Sequence, residues 1–232
     1  MVICMTSPPA PRTPGSAGLR VDAERNRQRI VTAACEVFAE HGLDVPMEDI
    51  AKHAGVGVGT LYRRYPSRAD LIAAAFETKM TAYAQAAREA LANPDPWLGF
   101  CGYVEQVCAM QADDRGFTTV LTMTFPTAKQ FEADRARAFA DFTTLIASAK
   151  DAGKLRADFV TEDMPMFLMA NAGVLAATAD AAPDTWRRLV GYLIQASAAP
   201  AAQPLPDPPA PRQMYRAMLR ATQHQRERRA AK

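Results

Sequence analysis

One stretch constrains this chain more than any other: Met47-Glu-Asp-Ile-Ala-Lys-His-Ala-Gly-Val-Gly-Val-Gly-Thr-Leu-Tyr-Arg-Arg-Tyr65. Met47, Ile50, Ala51 and Ala54 recur at helical intervals, so a first short helix buries one apolar stripe while Glu48, Asp49 and Lys52 face water. Gly55 ends it, because a residue without Cβ takes the left-handed conformation that closes a helix, and Val56 follows as an apolar plug. The pattern restarts with Val58, Leu61, Tyr62 and Tyr65 at separations of three and four, and Pro66 stops it. Two short helices about a glycine turn, the second basic and aromatic, are the layout of a helix-turn-helix that puts a recognition helix into a DNA groove.

Charge agrees. Between Ala51 and Ala69 the chain carries Lys52, Arg63, Arg64 and Arg68 and no acidic residue, a local field suited to a phosphate backbone. Upstream, Ile30, Ala33, Ala34, Val37 and Phe38 follow a helical period, with Arg25, Arg27, Gln28 and Arg29 at the start and Gly42 as the stop. Downstream, Ser67 is a plausible N-cap with Asp70 at the third helical position, and Leu71, Ile72, Ala75, Phe76 and Met80 form the buried stripe of a connecting helix.

The segments Arg29-Ile-Val-Thr-Ala-Ala-Cys-Glu-Val-Phe-Ala-Glu-His-Gly42, Met47-Glu-Asp-Ile-Ala51 and Gly55-Val-Gly-Val-Gly-Thr-Leu-Tyr-Arg-Arg-Tyr-Pro-Ser-Arg-Ala-Asp-Leu71 resemble the tetracycline-repressor (TetR) family of transcriptional regulators, over roughly residues 22–76. The resemblance implies an all-α homodimer. Its three-helix N-terminal domain would bind a palindromic operator in double-stranded DNA, and its C-terminal helical bundle would bind a small-molecule inducer and the second subunit. The DNA-facing set it implies is Met47, Val58, Gly59, Thr60, Tyr62, Arg63, Arg64, Tyr65 and Arg68, with Thr60 and Arg63 on base edges and Tyr62, Tyr65 and Arg68 on phosphates. Two positions depart from the family's habit: Gly57 stands where a hydroxyl residue often caps the recognition helix, and Pro46 where threonine often opens the second helix. Glycine is a tolerated N-cap and proline suits a first helical turn. Val104 to Phe117, with its Asp-Arg-Gly turn, resembles one branch of the family and supports the same domain order.

The 232 residues, 49% hydrophobic, suffice for a sizeable core, and the net charge is only +2. Its distribution is uneven: residues 80–200 hold ten Lys/Arg against fourteen Asp/Glu, and residues 201–232 hold seven against two. The four cysteines, Cys4, Cys35, Cys101 and Cys108, show neither a CxxC pair nor a zinc-finger spacing, and Cys35 and Cys108 fall on apolar helix faces, as buried thiols do in a reducing cytosol. No apolar run approaches the roughly 20 residues of a membrane span, and the expectation is a cytoplasmic protein. Met1 to Leu19, and the six prolines of Pro200 to Pro211, read as arm and linker. Arg212 to Arg229 regains some helical character; the alternatives are a helix that touches DNA or the partner subunit and a solvated, frayed tail, and the second is the better reading.

Between these ends, helices are expected over Trp97–Met110, Thr118–Phe125, Ala128–Ala152, Thr161–Ala179 and Asp184–Ala199, with breaks at residues 93–96, Gly116, Pro126, Gly153 and Pro183. Helix after helix without alternating strands means an all-α bundle. The domain plan is therefore a disordered arm at 1–20, a helix-turn-helix domain at 21–67, a ligand-binding and dimerisation bundle at 68–199 and a mobile linker and tail at 200–232.

Bulky or soft residues on the inner faces are candidate pocket residues: Trp97, Phe100, Tyr103, Val107, Met110, Phe117, Met123, Phe125, Phe142, Met166, Met169 and Asn171. Each also serves as plain core, and Asn171 fits either a pocket handle or a hydrogen bond at the dimer interface. The last two helices supply the expected dimer surface through Phe167, Val174, Trp186, Leu189, Val190 and Leu193.

Chemistry of the catalytic kind finds little footing. His41, His53 and His224 lack metal-ligand spacing, Asp113-Asp114 and Glu162-Asp163 fit capping better than acid–base work, and no glycine-rich phosphate loop follows a strand. No enzyme activity, metal or cofactor is expected beyond the small-molecule effector.

Overall fold

The computed structural model describes residues 15–123, 125, 127–200 and 203–217. In chain order it holds α1 (Gly15–His41), α2 (Met47–His53), α3 (Val58–Arg64), α4 (Arg68–Leu91), α5 (Pro96–Asp113), α6 (Arg115–Thr122), α7 (Lys129–Asp151), α8 (Asp163–Thr178) and α9 (Thr185–Ser197), with no strand among the described residues.

Two apolar cores organise these helices. The first gathers Ile30, Ala34 and Phe38 of α1, Met47 and Ile50 of α2, Leu61 of α3, and Leu71, Ile72 and Phe76 of α4. Phe117, Val120, Phe125 and Phe131, from α6 to the start of α7, complete it. The second lies in the bundle proper, around Phe100, Tyr103, Val104 and Val107 of α5 and Phe142, Leu145 and Ile146 of α7, closed by Leu168, Leu175, Trp186 and Val190. Tyr83 and Leu121 pack against both. The expected division at residues 67/68 is thus a change of helix and not a change of core, since the first core crosses it.

Three local features differ from the sequence reading. Gly15 opens α1, inside the expected arm; no proline lies between Pro14 and Pro46, so a helix nucleated by the packed half at Ile30 to Phe38 propagates backwards unopposed. Residues 1–14 lie outside the described residues. The short α6 begins three residues early: Asp114 caps it by accepting from the Gly116 N–H at 2.8 Å and pairs with Lys79 of α4. Gly116, expected to break the chain, sits in the first turn, where a Cβ would come 3.1 Å from the Phe76 ring. Finally, the linker is fastened: Gln203 and Leu205 are hydrogen-bonded to Arg156 and Asp158, residues 211–217 are helical and Met214 is buried. The rest of the expected tail, 218–232, lies outside the described residues.

Of the cysteines, Cys108 is buried and its thiol is pushed up to about 12 by desolvation, whereas Cys35 is exposed, its thiol donating to the Ala75 carbonyl. The helical stripe of α1 that faces the core runs through Ala34 and Phe38 and leaves Cys35 at its margin. Cys4 lies outside the described residues.

Candidate nucleic-acid interface

The helix-turn-helix is assembled by three anchors. Ile50 and Ala51 of α2, which packs on α1, and Leu61 of α3, which packs on α2, are fully buried in the first core, which fixes the pitch of α3 and decides which of its residues face out. Gly55 holds φ +63°, the left-handed turn expected at that position. Arg29 reaches across from α1 and donates through Nη2 to the Gly55 carbonyl at 3.3 Å, and His53 Nε2 meets Glu36 of α1 at 2.7 Å. The turn is thus clamped to α1 from both sides.

With Leu61 and Tyr65 turned inward, Val58, Gly59, Tyr62, Arg63 and Arg64 are exposed and Thr60 is half-buried. Among the described residues neither Arg63 nor Arg64 has an acidic partner within ion-pair distance, so their donors are open to an external anion. Tyr62, 41% exposed, donates to Glu48 Oε1 at 3.2 Å; its phenol is pushed above its ordinary value by desolvation and by Glu48, and it stays a protonated donor at neutral pH. Arg68, at the start of α4, lies 3.7 Å from Asp44.

Two residues expected on the DNA face are placed otherwise. Met47 is 3% exposed and Tyr65 7%, both in the first core, with the Tyr65 phenol beside Arg27 of α1. Each occupies a stripe position of its helix, so burial of the stripe takes the side chain with it. They position α2 and α3 and do not present a side chain to a ligand.

The α4 terminus is the other structural joint. Ser67 and Asp70 form a full capping box: Ser67 Oγ accepts from the Asp70 N–H at 3.2 Å and Asp70 Oδ2 accepts from the Ser67 N–H at 3.1 Å. The second Asp70 oxygen accepts from the Thr127 hydroxyl in the α6–α7 loop. These bonds, Thr127 first, hold the Asp70 carboxyl below its usual range. Arg135 of α7 secures the same loop, donating to the carbonyls of Val120 and Met123 above the rings of Phe125 and Phe131.

The expected pocket residues do not converge. Phe100, Tyr103, Val107 and Phe142 stack in the second core beside Trp97, whereas Met110, Phe117, Met123 and Phe125 belong to the first. Met166 is 38% exposed and Met169 half-buried. Asn171 is fully buried and faces α5, donating to Gln111 Oε1 at 2.9 Å and to the Cys108 carbonyl at 3.2 Å, while its Oδ1 has no partner among the described residues. It is therefore an internal group and not an interface hydrogen bond.

A groove of about 430 Å³ opens elsewhere, between α5 and α9, lined by Gly102, Glu105, Gln106, Ala109, Trp186, Arg187, Val190 and Gly191. Sequence reasoning missed it. The available signal was a pair of glycines inside helices, Gly102 and Gly191, where an added Cβ would meet nothing within 4 Å. Trp186 and Val190, expected at the dimer surface, are turned inward against α5, because α9 packs on both α5 and α8. Phe167, Val174, Leu189 and Leu193 are half-buried; Phe167, edge-on to the Phe159 ring, and Val174 pack against the second core, and Met166 and Tyr192 are exposed on the same two helices.

Comparison with known proteins agrees with this geometry. The model of the family described as "Bacterial regulatory proteins, tetR family" matches residues 30–75. An HTH-type transcriptional regulator of Staphylococcus aureus (strain USA300) is 46% identical over 54 residues, 23% of this chain and 29% of that protein, so the match spans under a third of the relative's length. Among solved structures, the transcriptional regulator FadR from Bacillus subtilis in complex with stearoyl-CoA is similar in fold, with a TM-score of 0.54 at 15% identity, covering 72% of this chain and 97% of that one. The fatty acid degradation regulator FadR from Bacillus halodurans superposes with a TM-score of 0.50 at 20% identity, over 72% of this chain and 97% of that one.

Proposed function

We infer that this chain, whose residues 30–75 match the family described as "Bacterial regulatory proteins, tetR family", is a member of that family and a ligand-responsive, sequence-specific repressor, released from a palindromic operator by a small molecule. The observation that carries the reading is the outward face of α3: Arg63 and Arg64 exposed and without an acidic partner among the described residues, on a helix whose opposite face is locked by Leu61. Thr60 and Arg63 read base edges, Val58, Gly59 and Arg64 line the approach, and Tyr62 and Arg68 hold phosphates.

The protein acts as a homodimer through the outer side of α8 and α9, with Phe167, Val174, Leu189 and Leu193 at the contact. Between Met164 and Ala179 the chain carries no charged residue, although Met166 and Ala170 face outward, and such a surface favours a partner over water. The two recognition helices must then lie about one turn of DNA, ~34–36 Å, apart.

An effector in the bundle changes that spacing through α4. The first core already spans both domains, and Thr127 of the α6–α7 loop is bonded to Asp70 in the first turn of α4. A ligand that displaces this loop tilts α4 at Arg68 and carries α3 with it, a coupling of ~1–3 kcal/mol.

The test is fluorescence anisotropy of the purified protein with DNA from its own upstream intergenic region at fixed salt, alongside Arg63→Ala. Tight binding to a palindrome that the variant loses supports the reading. Equal, weak binding of both proteins to every fragment of a genome-wide selection overturns it.

A further inference from the structure

We propose that the effector of this chain is a neutral, largely apolar molecule carrying a hydrogen-bond donor, a hydroxyl or an N–H, and that Asn171 Oδ1 takes that donor where α5, α6 and α8 meet. The inference rests on the effector-release reading above and names the chemistry of the effector.

A closed set of amides carries it. Gln111 of α5 and Asn171 of α8 are both fully buried. Gln111 Nε2 donates to Thr118 Oγ1 of α6 at 2.9 Å and to the Leu168 carbonyl of α8 at 3.2 Å. Asn171 Nδ2 donates to Gln111 Oε1 at 2.9 Å and to the Cys108 carbonyl of α5 at 3.2 Å. Each amide nitrogen thus commits both of its N–H groups, and Gln111 Oε1 is met. Asn171 Oδ1 is buried and has no partner among the described residues.

The polarity of the set is fixed. Turning over the Asn171 amide would set its oxygen against the Cys108 carbonyl, and turning over the Gln111 amide would set its oxygen against the Leu168 carbonyl. The open position is therefore an acceptor, and only a donor satisfies it. A buried acceptor left unmade is costly, so a molecule that brings an N–H or O–H to Asn171 gains a bond the folded chain alone does not make.

Charge defines the rest of the class. α8 carries no charged residue between Met164 and Thr178, α6 none after Arg115, and α5 none from Gln106 to Ala112. An anion at this junction would lack a counter-charge and would set oxygen against oxygen at Asn171, whereas a cation would lose its hydration without meeting a carboxylate. Leu168 and Leu175, one turn before and after Asn171 on α8, are members of the second core, as are Val104, Val107 and Cys108 of α5. The body of the ligand is apolar to match.

The place suits regulation. Gln111 joins Asn171 to Thr118 of α6, and Phe117 and Val120 of the same helix lie in the core that also holds α1, α2 and α3. α6 leads into the loop whose Thr127 hydroxyl is bonded to Asp70. A molecule wedged against Asn171 displaces α6, and α6 carries the displacement to both contacts.

The experiment uses the full-length protein without DNA and three bicyclic probes: indole, benzofuran, which has the same shape without the N–H, and indole-2-carboxylate. By isothermal titration calorimetry the wild type is expected to bind indole about fivefold to a hundredfold more tightly than benzofuran, the range that corresponds to a buried acceptor left unmade. Indole-2-carboxylate is expected to bind at least about tenfold more weakly than indole. The variant Q111L/N171L replaces the set by apolar side chains of similar size, and it is expected to bind benzofuran as well as indole or better, since the N–H is then buried unmade. In the wild type, the side-chain amide resonances of Asn171 are expected to shift with indole and less with benzofuran, a readout that does not depend on how the variant folds. Equal binding of indole and benzofuran by the wild type, or binding of neither, overturns the proposal and leaves the Asn171 acceptor to buried water. Indole preference retained in Q111L/N171L, or Asn171 resonances unmoved at saturating indole, also overturns it, and carboxylate binding as tight as that of indole overturns the neutral class. Operator release is read separately by anisotropy: indole that binds at Asn171 and leaves the protein–DNA complex intact refutes the effector-release reading while the donor site stands.

Discussion

Gly55 and Gly57 stand two residues apart in the same turn, and substitutions at them should shift stability in opposite directions. At Gly55 the backbone is left-handed at φ +63°, and an added Cβ would lie 2.6 Å from Arg29 Nη2. Forcing an L-residue into that region costs ~1–2 kcal/mol. Arg29, a flexible side chain, swings away and gives up its hydrogen bond to the Gly55 carbonyl, another ~0.5–1.5 kcal/mol. Gly55→Ala should therefore destabilise by about 2–3 kcal/mol. Gly57 is the N-cap of α3, extended at φ −67° and ψ 141°, and a Cβ there meets only Thr60 Oγ1 at 3.9 Å. A serine at that position supplies the absent capping oxygen and reduces the freedom of the unfolded chain, and Gly57→Ser should stabilise by about 0.5–1 kcal/mol. For a chain of this length each kcal/mol moves the midpoint by ~2–4 °C. Thermal unfolding followed by circular dichroism should place Gly55→Ala roughly 5–10 °C below the wild type and Gly57→Ser roughly 1–3 °C above it. If the two substitutions shift Tm in the same direction, the backbone account of this turn is wrong.

Three further outcomes are expected. Leu61→Ala empties a fully buried site under the recognition helix and should cost about 2–5 kcal/mol in thermal unfolding, with operator binding lost although no DNA-facing side chain has changed. Thr127→Val removes the loop's bond to Asp70 and leaves the capping box intact, so operator affinity without effector should stay within about threefold while the effector-induced loss of binding, read by anisotropy, falls. The depressed Asp70 carboxyl contributes stability that is fully present above the ordinary aspartate range near ~3.9 and is lost as pH falls through its lower folded value. The Tm gap between wild type and Asp70→Asn should accordingly be constant from about pH 5 to 8 and close below about pH 4.

The DNA-binding unit was the legible part because its determinants are local. Helix periods, the Gly55 turn and the Ser67–Asp70 box each act within four residues, and each appears in the structure at the expected position. The stripe residues that define a helix are also the ones it buries, which is why Met47 and Tyr65 left the DNA face for the core. The bundle was legible only as helices. Which of its aromatic and methionine residues meet depends on crossing angles between elements far apart in sequence, and these split the expected pocket residues between two cores and left the groove at Gly102 and Gly191 to a different set.

Taken alone, then, the amino-acid order determined an all-α chain with a helix-turn-helix between residues 47 and 65, its outward basic residues Arg63 and Arg64, and a basic end. Those properties follow from periodicity, capping and charge, which act over one or two turns of helix. Tertiary structure decided that one core joins α1, α2 and α3 to α4, α6 and the start of α7, that Asp70 answers to Thr127, that Trp186 and Val190 face inward, and that the start of the proline run is tied to Arg156 and Asp158. Each of those depends on groups 40 or more residues apart being brought together by packing, and no local rule reaches that distance.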